Sequence, residues 1–221
     1  MKIDQFWLRL MGVFGILGGV ILFAGDMLFY YDKDNVNLLE NIGNASDLRI
    51  IISGVSALIA TWFYMLGLGQ VYYSFKPTTA TIRNTVIISF AAILISYGVI
   101  HAAYIAIATT AKLSIQNQLD LETATALASK TNHILRLFVY PIFAILSFVF
   151  ISQVWKRKTL YPQWMILCFP LIPFLFQGFI AKLLSGNLKT IIIGGYLNLI
   201  LIIFFTASTI ALWNSNSNQE T

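Results

Sequence analysis

Six stretches of this chain are apolar over about 20 residues or more, the length that an α-helix needs to cross the hydrocarbon core of a bilayer. They are residues 6–31, 48–75, 85–110, 134–155, 164–184 and 190–213. Transmembrane β-strands are shorter and alternate apolar with polar residues, a pattern that these stretches lack. The sequence therefore predicts an all-α, polytopic transmembrane bundle of six spans, with residues 1–221 forming one membrane domain.

The composition excludes a water-soluble enzyme. Hydrophobic residues make up 58% of the chain and charged residues 10%, whereas soluble domains have about 45–50% and about 25%. The net charge of +5 comes from basic residues scattered between the apolar segments, which makes them topology signals rather than a nucleic-acid surface. The expected surroundings are membrane lipid, and no nucleic-acid partner is expected.

The positively charged loops predict the orientation. Lys and Arg are nearly balanced between the two sides, and the cluster Lys156-Arg157-Lys158 is the strongest signal for a cytoplasmic loop. With six spans, this places both termini in the cytoplasm. The first span is longer than the 7–15 apolar residues of a signal peptide and precedes no small-residue cleavage site, so we expect it to be a retained helix.

Two short motifs accompany this topology. Gly25-Asp26-Met27-Leu28-Phe29-Tyr30 ends the first span, and Trp62-Phe63-Tyr64 lies in the second. Together with six helices joined by short loops, they resemble bacterial membrane families known only as domains of unknown function. The resemblance implies a multi-pass protein of the bacterial inner membrane and carries no catalytic residues.

Ionisable residues at membrane depth are costly and are functional candidates by default. Counted from the span midpoints at about 1.5 Å per residue, Asp26 lies roughly 9 Å and His101 roughly 7 Å towards the outside. The other polar residues predicted for this outer layer are Ser53, Arg136, Gln177 and Asn198. The inner half has no ionisable residue at a comparable depth, so the polar groups concentrate on one side.

Helical periodicity turns these residues towards one another. Asp26 continues the spacing of Gly15 and Gly19, a small-residue pattern typical of close helix packing. His101 shares a face with Tyr97 and Tyr104, and Arg136 shares one with Tyr140. Pro170 and Pro173 predict a bend in the fifth span next to the same region. The sequence thus predicts an outward-facing polar pocket, with seven ligand-binding candidates: Asp26, His101, Arg136, Ser53, Tyr140, Gln177 and Asn198.

Each candidate also has a purely structural interpretation. Asp26 would fix the helices by pairing with Arg136 or bonding to Ser53, and His101 would be a hydrogen-bonded core residue. Arg136 would extend to the outer headgroups, while Gln177 and Asn198 would join neighbouring helices.

Several chemistries are disfavoured. A metal site is not expected, because His101 and His133 are on different helices and no HExxH motif occurs. No cofactor is expected either, since nucleotide-binding loops such as GxxxxGK are absent. Ser53 and His101 would suit a nucleophilic dyad, but Ser53 lacks a GxSxG context. The lone Cys168 forms no internal disulfide.

Three functions remain open. The leading hypothesis is a membrane protein that binds or transports a small or lipophilic solute in the polar pocket, with Asp26 sensing protons or cations. The second is a membrane-embedded enzyme acting on a lipid, with His101 and Asp26 as its acid–base pair. The third is a structural or assembly subunit in which the polar residues only fix helix packing.

Overall fold

A computed structural model describes residues 4–214, and this part of the chain is all-helical. Its ten helices are α1 (Gln5–Tyr30), α2 (Leu38–Asn44), α3 (Asp47–Ser74), α4 (Ala80–Gln116), α5 (Leu121–Trp155), α6 (Met165–Cys168), α7 (Leu171–Leu175), α8 (Gln177–Leu183), α9 (Gly186–Gly194) and α10 (Tyr196–Ala211). Within this part, α1, α3, α4 and α5 are each long and apolar enough to cross a membrane, and α9 with α10 is a fifth candidate if the pair counts as one span. The predicted all-helical class is confirmed for these residues, and the long apolar helices are compatible with a membrane protein. Both chain termini lie outside the described residues.

Side-chain caps explain where the long helices begin. Asp4 accepts a hydrogen bond from the Phe6 amide at the start of α1. Ser46 accepts from the Arg49 amide at α3, and Thr79 accepts from the Ile82 amide at α4. These oxygens satisfy amides that have no partner within the helix. The predicted starts of the first two spans agree with the structure to within one residue. The sequence offers Thr79 and Thr81 as caps for the third, and the structure uses Thr79.

Successive long helices run antiparallel between two ends of the bundle, which we call the Gln5 end and the Tyr30 end. Near the Gln5 end, Gln70 of α3 donates to the carbonyl of Leu8. At the Tyr30 end, Arg49 of α3 donates to the carbonyl of Leu28. The last helix, α10, finishes at the Gln5 end, where the Gln5 side chain donates to the Leu212 carbonyl over 2.9 Å.

Glycines on α1 allow unusually close helix contacts. A Cβ added to Gly15 would lie 2.2 Å from the ring of Phe205 on α10, and one added to Gly19 would lie 2.5 Å from Ile202. On α3, a Cβ at Gly67 would lie 2.7 Å from the Gly15 Cα. The prediction that Gly15 and Gly19 face neighbouring helices is confirmed.

The predicted fifth span, residues 164–184, consists of three short helices: α6, α7 and α8. Phe169 has an extended backbone (φ −67°, ψ 136°) and ends α6, as expected for a residue that precedes proline. Pro170 and Pro173 lack the N–H groups that would continue the helix. The expected bend is therefore present, but as a broken helix rather than a single bent one.

The predicted sixth span, residues 190–213, is divided at Gly195 into α9 and α10, which meet at 61°. A Cβ on Gly195 would lie 2.3 Å from the Phe23 ring of α1. The break thus lies where the Phe23 side chain of α1 leaves no room for a Cβ at residue 195. The bend was not foreseen from the sequence, although the adjacent Gly194 and Gly195 mark its place.

At the Tyr30 end, two features go beyond the predicted spans. The helices α4 and α5 have 37 and 35 residues, or about 50–55 Å at 1.5 Å per residue, well beyond a core about 30 Å thick. Asp120, whose place before Leu121-Glu122-Thr123-Ala124 predicts the start of a helix, caps α5 by accepting from the Thr123 amide. The connection 32–47 contains the unforeseen helix α2, whose Gly43 packs against Ala111 of α4.

Candidate functional site

The polar centre of the molecule is a pair of side chains from α1 and α4. His101 Nδ1 lies 3.1 Å from Asp26 Oδ1, and both residues are buried. The second carboxylate oxygen, Oδ2, accepts a hydrogen bond of 2.6 Å from the side-chain amide of Asn198 on α10. The structure thus brings together three of the predicted site residues, and Asp26 pairs with His101 rather than with Arg136.

The other ring nitrogen of His101 faces α3. His101 Nε2 lies 3.1 Å from the carbonyl oxygen of Ser53 and 3.0 Å from its hydroxyl. That hydroxyl lies 2.7 Å from the Gly25 carbonyl and donates to it. Because a carbonyl oxygen only accepts, Nε2 carries a proton and donates towards Ser53.

This geometry fixes the charge of the Asp26–His101 pair. With Nε2 protonated, the contact between Nδ1 and Oδ1 needs one further proton, since two lone pairs at this distance would repel. If this proton is on Oδ1, Asp26 is a carboxylic acid and His101 a neutral imidazole. If it is on Nδ1, Asp26 is a carboxylate and His101 an imidazolium. The pair has no net charge in either case, which lowers the cost of burying it.

The side-chain contacts lead from Ser53 to His101 and from His101 to Asp26. Serine hydrolases have the same sequence of contacts from serine to histidine to aspartate. Ser53 is fully buried, however, with 0% of its surface exposed, and its hydroxyl proton is engaged by Gly25. Ser56 on the next turn donates in turn to the Ser53 carbonyl over 2.6 Å. A nucleophile must reach its substrate, so this arrangement is suited to joining α1, α3 and α4 rather than to attack.

Arg136 lies on α5 and is held against α4. Its Nη2 donates to the Tyr104 hydroxyl over 2.7 Å, and its Nε donates to Asn132 Oδ1 over 3.1 Å. Asn132 is itself fixed, because its amide donates to the carbonyl of Ile100. Among the described residues, no carboxylate oxygen lies within 4.0 Å of the guanidinium.

A cavity of about 540 Å³ connects these groups. Its walls come from α1, α2, α4, α5, α9 and α10 and from the broken segment of α7 and α8. Six of the seven predicted residues line it: Asp26, His101, Arg136, Tyr140, Gln177 and Asn198. Ser53 does not line it and lies behind His101. The volume is within the usual range of about 300–1,000 Å³ for small-molecule sites.

Sequence reasoning missed part of this wall. Asn132 of α5 and Tyr104 of α4 hold the guanidinium. Ser129, one helical turn before Asn132, also lines the cavity. The predicted fourth span begins at residue 134, so the polar residues between the Asp120 cap and that point were not among the site candidates. The capping residue Asp120 was the available signal that the helix, and with it the wall, begins earlier.

A second cavity, of about 640 Å³, follows the outer face of α5 next to Leu171. Its lining is mainly aromatic and aliphatic, with Ser147, Ser152 and Lys156 as polar members. An apolar groove on a membrane helix is what lipid chains are expected to fill. The polar cavity is therefore the stronger candidate site, although it is slightly smaller.

No cluster of three or more His, Cys, Asp or Glu side chains that could hold a metal ion occurs in the part of the chain that the structure describes. His133 also lines the cavity, but no hydrogen bond or ion pair joins its ring to His101 among the described residues.

Comparison with known proteins identifies a family. Residues 1–215 match the model of a family of unknown function, DUF6796, and the chain belongs to that family. The match covers nearly the whole chain, including every helix described above. Neither the comparison with curated proteins nor that with solved structures gives a match.

Proposed function

We propose that this member of the DUF6796 family binds, and in its membrane moves, a small amphipathic solute in the cavity next to Asp26 and His101. The observation that carries the proposal is the composition of that cavity. Polar groups from α1, α4, α5 and α10 line one cavity, while Leu22, Ile100 and Phe143 supply an apolar wall. Sites for small molecules commonly combine an apolar lining with a few fixed polar groups.

We further propose six membrane crossings, with both termini in the cytoplasm of a bacterial inner membrane. Leu160 donates to the Ser74 carbonyl at the Gln5 end, whereas Asn187 donates to the Lys33 carbonyl beyond the Tyr30 end. The chain between them, α6 to α8, therefore travels the length of the bundle. Counted as a crossing, it makes the total even, in agreement with the contact between Gln5 and Leu212.

The cavity faces outwards in this orientation. The charged cluster Lys156-Arg157-Lys158 lies near the Gln5 end, which favours that end as cytoplasmic. The cavity lies towards the Tyr30 end, where α2 contributes Leu38, Leu39 and Ile42 to its lining. A solute would thus enter from the outer side or from the outer leaflet.

The broken segment gives the cavity a movable wall. The helices α7 and α8 contain no fully buried residue, and each has fewer than eight residues. Segments with few buried contacts open at low free-energy cost. Phe174 and Gln177 of this segment face the cavity, so their displacement would admit or release a solute.

The enzyme and structural alternatives are less well supported. Catalysis by Ser53 would require a hydroxyl that reaches the cavity, and Ser53 is fully buried. A structural role accounts for Asp26, His101 and Asn198, which satisfy one another. It does not account for Tyr140 and Gln177, which line the cavity and have no side-chain hydrogen bond within residues 4–214.

A binding test with two matched leucine variants examines this proposal. Leu197 and Leu199 are both partly buried on α10, but only Leu197 lines the cavity. Thermal unfolding of the purified protein in detergent would be followed with decanol, decanoate and decylammonium. At least one of them should raise the melting temperature by roughly 5–10 °C at a concentration near 100 times its Kd.

Leu197→Trp, which fills the cavity, should abolish that shift, whereas Leu199→Trp should preserve it. The proposal is rejected if none of the three compounds stabilises the wild-type protein. It is also rejected if both tryptophan variants respond like the wild type, because binding would then take place outside the cavity.

A further inference from the structure

We infer that the solute carries an anionic head on an apolar chain, and that Arg136 recognises the head. The inference rests on the proposed function and specifies the class of solute. The shared chemistry is an oxyanion, either the carboxylate of a fatty acid or the phosphate of a lipid.

The charge balance of the cavity is the first argument. Among the described residues that line it, Asp26 is the sole carboxylate and Arg136 the sole permanently charged cation. His101 neutralises Asp26 within the pair. Arg136 therefore has no carboxylate in direct contact among the described residues, and a charge of this kind at membrane depth is costly unless it is paired.

The hydrogen-bonding capacity of Arg136 is the second argument. A guanidinium has five N–H donors, and the structure uses Nε for Asn132 and one Nη2 hydrogen for Tyr104. The Nη1 donors have no partner within residues 4–214, and Nη1 is not among the buried, unsatisfied atoms. Accessible, parallel N–H groups of an arginine fit carboxylate and phosphate oxygens closely.

The guanidinium is also fixed in place before any solute arrives. Tyr104 and Asn132 hold two of its nitrogens, and its Cζ lies 5.5 Å from the centre of the Tyr104 ring. A side chain that is already ordered loses less entropy when it binds a ligand. Arg136 is thus held ready for a ligand rather than free to extend towards the headgroups.

The surrounding wall suits an oxyanion with a chain. Gln177 and Tyr140 supply neutral donors on the same cavity, and neither uses its side chain for a hydrogen bond to another described residue. Val139, Phe143 and Phe174 provide the apolar surface beside them. The head would thus lie at Arg136 and the chain along these side chains.

Four decyl compounds that differ only in the head group test this inference: decanoate, decyl phosphate, decanol and decylammonium. Their affinities would be measured by native mass spectrometry on the full-length protein in detergent at pH 8. At least one anionic compound should bind about 10-fold or more tightly than decanol and decylammonium, as charge-assisted hydrogen bonds imply. The ratio between decanoate and decyl phosphate then distinguishes a fatty acid from a lipid phosphate.

Two variants test whether the preference for anionic compounds depends on Arg136. Arg136→Gln should remove the anion preference and leave decanol binding unchanged. Lys130→Gln removes an exposed charge from the same helix at a position that does not line the cavity, and it should retain the preference. Both variants are first compared with the wild type by thermal unfolding.

Two results would overturn the inference while the proposed function stands. One is equal binding of decanol and both anions by the wild-type protein, a comparison that depends on no variant. The other is an anion preference that survives in a folded Arg136→Gln protein. Absence of binding by all four compounds would overturn the inference and the proposed function together.

Discussion

Asp26 and His101 lie 3.1 Å apart and join α1 to α4 in the wall of the cavity. Both carboxylate oxygens and both ring nitrogens have a partner: Asn198 donates to the carboxylate, and His101 donates towards Ser53. The pair is neutral as a unit, so it stabilises the bundle without adding charge to the cavity. Arg136 consequently dominates the electrostatics of the site.

The neutrality of the pair predicts different outcomes for two substitutions of Asp26. In Asp26→Asn, the amide can donate to His101 Nδ1 while its oxygen accepts from Asn198, so every hydrogen bond is retained. In Asp26→Ala, His101 and Asn198 both lose a partner, at roughly 1–3 kcal/mol for each buried group. Thermal unfolding should show Asp26→Asn close to the wild type and Asp26→Ala clearly destabilised. Equal destabilisation of the two variants would mean that Asp26 is a carboxylate that shares no proton with His101.

The close contact of α1 with α3 and α10 predicts a steric effect. Gly15→Leu would force side-chain atoms into the ring of Phe205. Overpacking of this kind costs about 1–3 kcal/mol or more. Val13→Leu is the control, because Val13 is 41% exposed on the same helix. A melting temperature for Gly15→Leu equal to that of Val13→Leu would contradict this packing.

The even number of crossings predicts which loops are accessible from outside the cell. Single cysteines at Asn44, Asn117 and Ser185, in a Cys168→Ser background, should react with an impermeant thiol reagent added to intact cells. A cysteine at Lys158 should react only after the membrane is opened. All four positions are exposed, so lack of reaction reports the side of the membrane. Labelling of Lys158→Cys but not Ser185→Cys in intact cells would contradict this topology.

The cap of α5 predicts a local effect of pH. Hydrogen bonds from Thr123 hold the pKa of Asp120 below its ordinary value. A carboxyl group whose pKa is lowered by folding stabilises the folded state above its unfolded pKa, and this contribution is lost as the pH falls through the folded pKa. Hydrogen exchange at residues 121–125 should therefore accelerate below about pH 4. Asp120→Asn, which retains a capping oxygen, should remove this acceleration, and an unchanged pH profile would refute the assignment.

The long helices and the convergence of Asp26 and His101 on one cavity could be predicted, because both follow from one-dimensional patterns. A long apolar run predicts a helix. The spacing of residues along each helix predicted that Asp26 and His101 face the inside of the bundle. The partner of Asp26 could not be predicted. Arg136 and His101 are at similar depths, and the choice between them depends on how α4 and α5 rotate against α1.

Other features arise from tertiary contacts that leave little trace in the sequence. Gln70, buried near the Gln5 end, accepts from Ser208 over 2.6 Å. Both residues are uncharged and lie in apolar segments, so the sequence pattern did not indicate that they would be partners. The bend at Gly195 lies against Phe23, a residue far away in the chain. The three helices of the fifth segment reflect two prolines whose effect on the backbone was foreseen only as a single bend.

Solid-state NMR can measure the position of the solute head directly. Protein labelled with ¹⁵N at arginine would be reconstituted with decanoate carrying ¹³C at the carboxyl carbon. A bidentate contact places that carbon roughly 4 Å from the guanidinium nitrogens, so we predict strong dipolar dephasing that disappears in Arg136→Lys protein with unlabelled lysine. Bound decanoate without dephasing, or with dephasing that persists in Arg136→Lys, would contradict recognition of the head by Arg136.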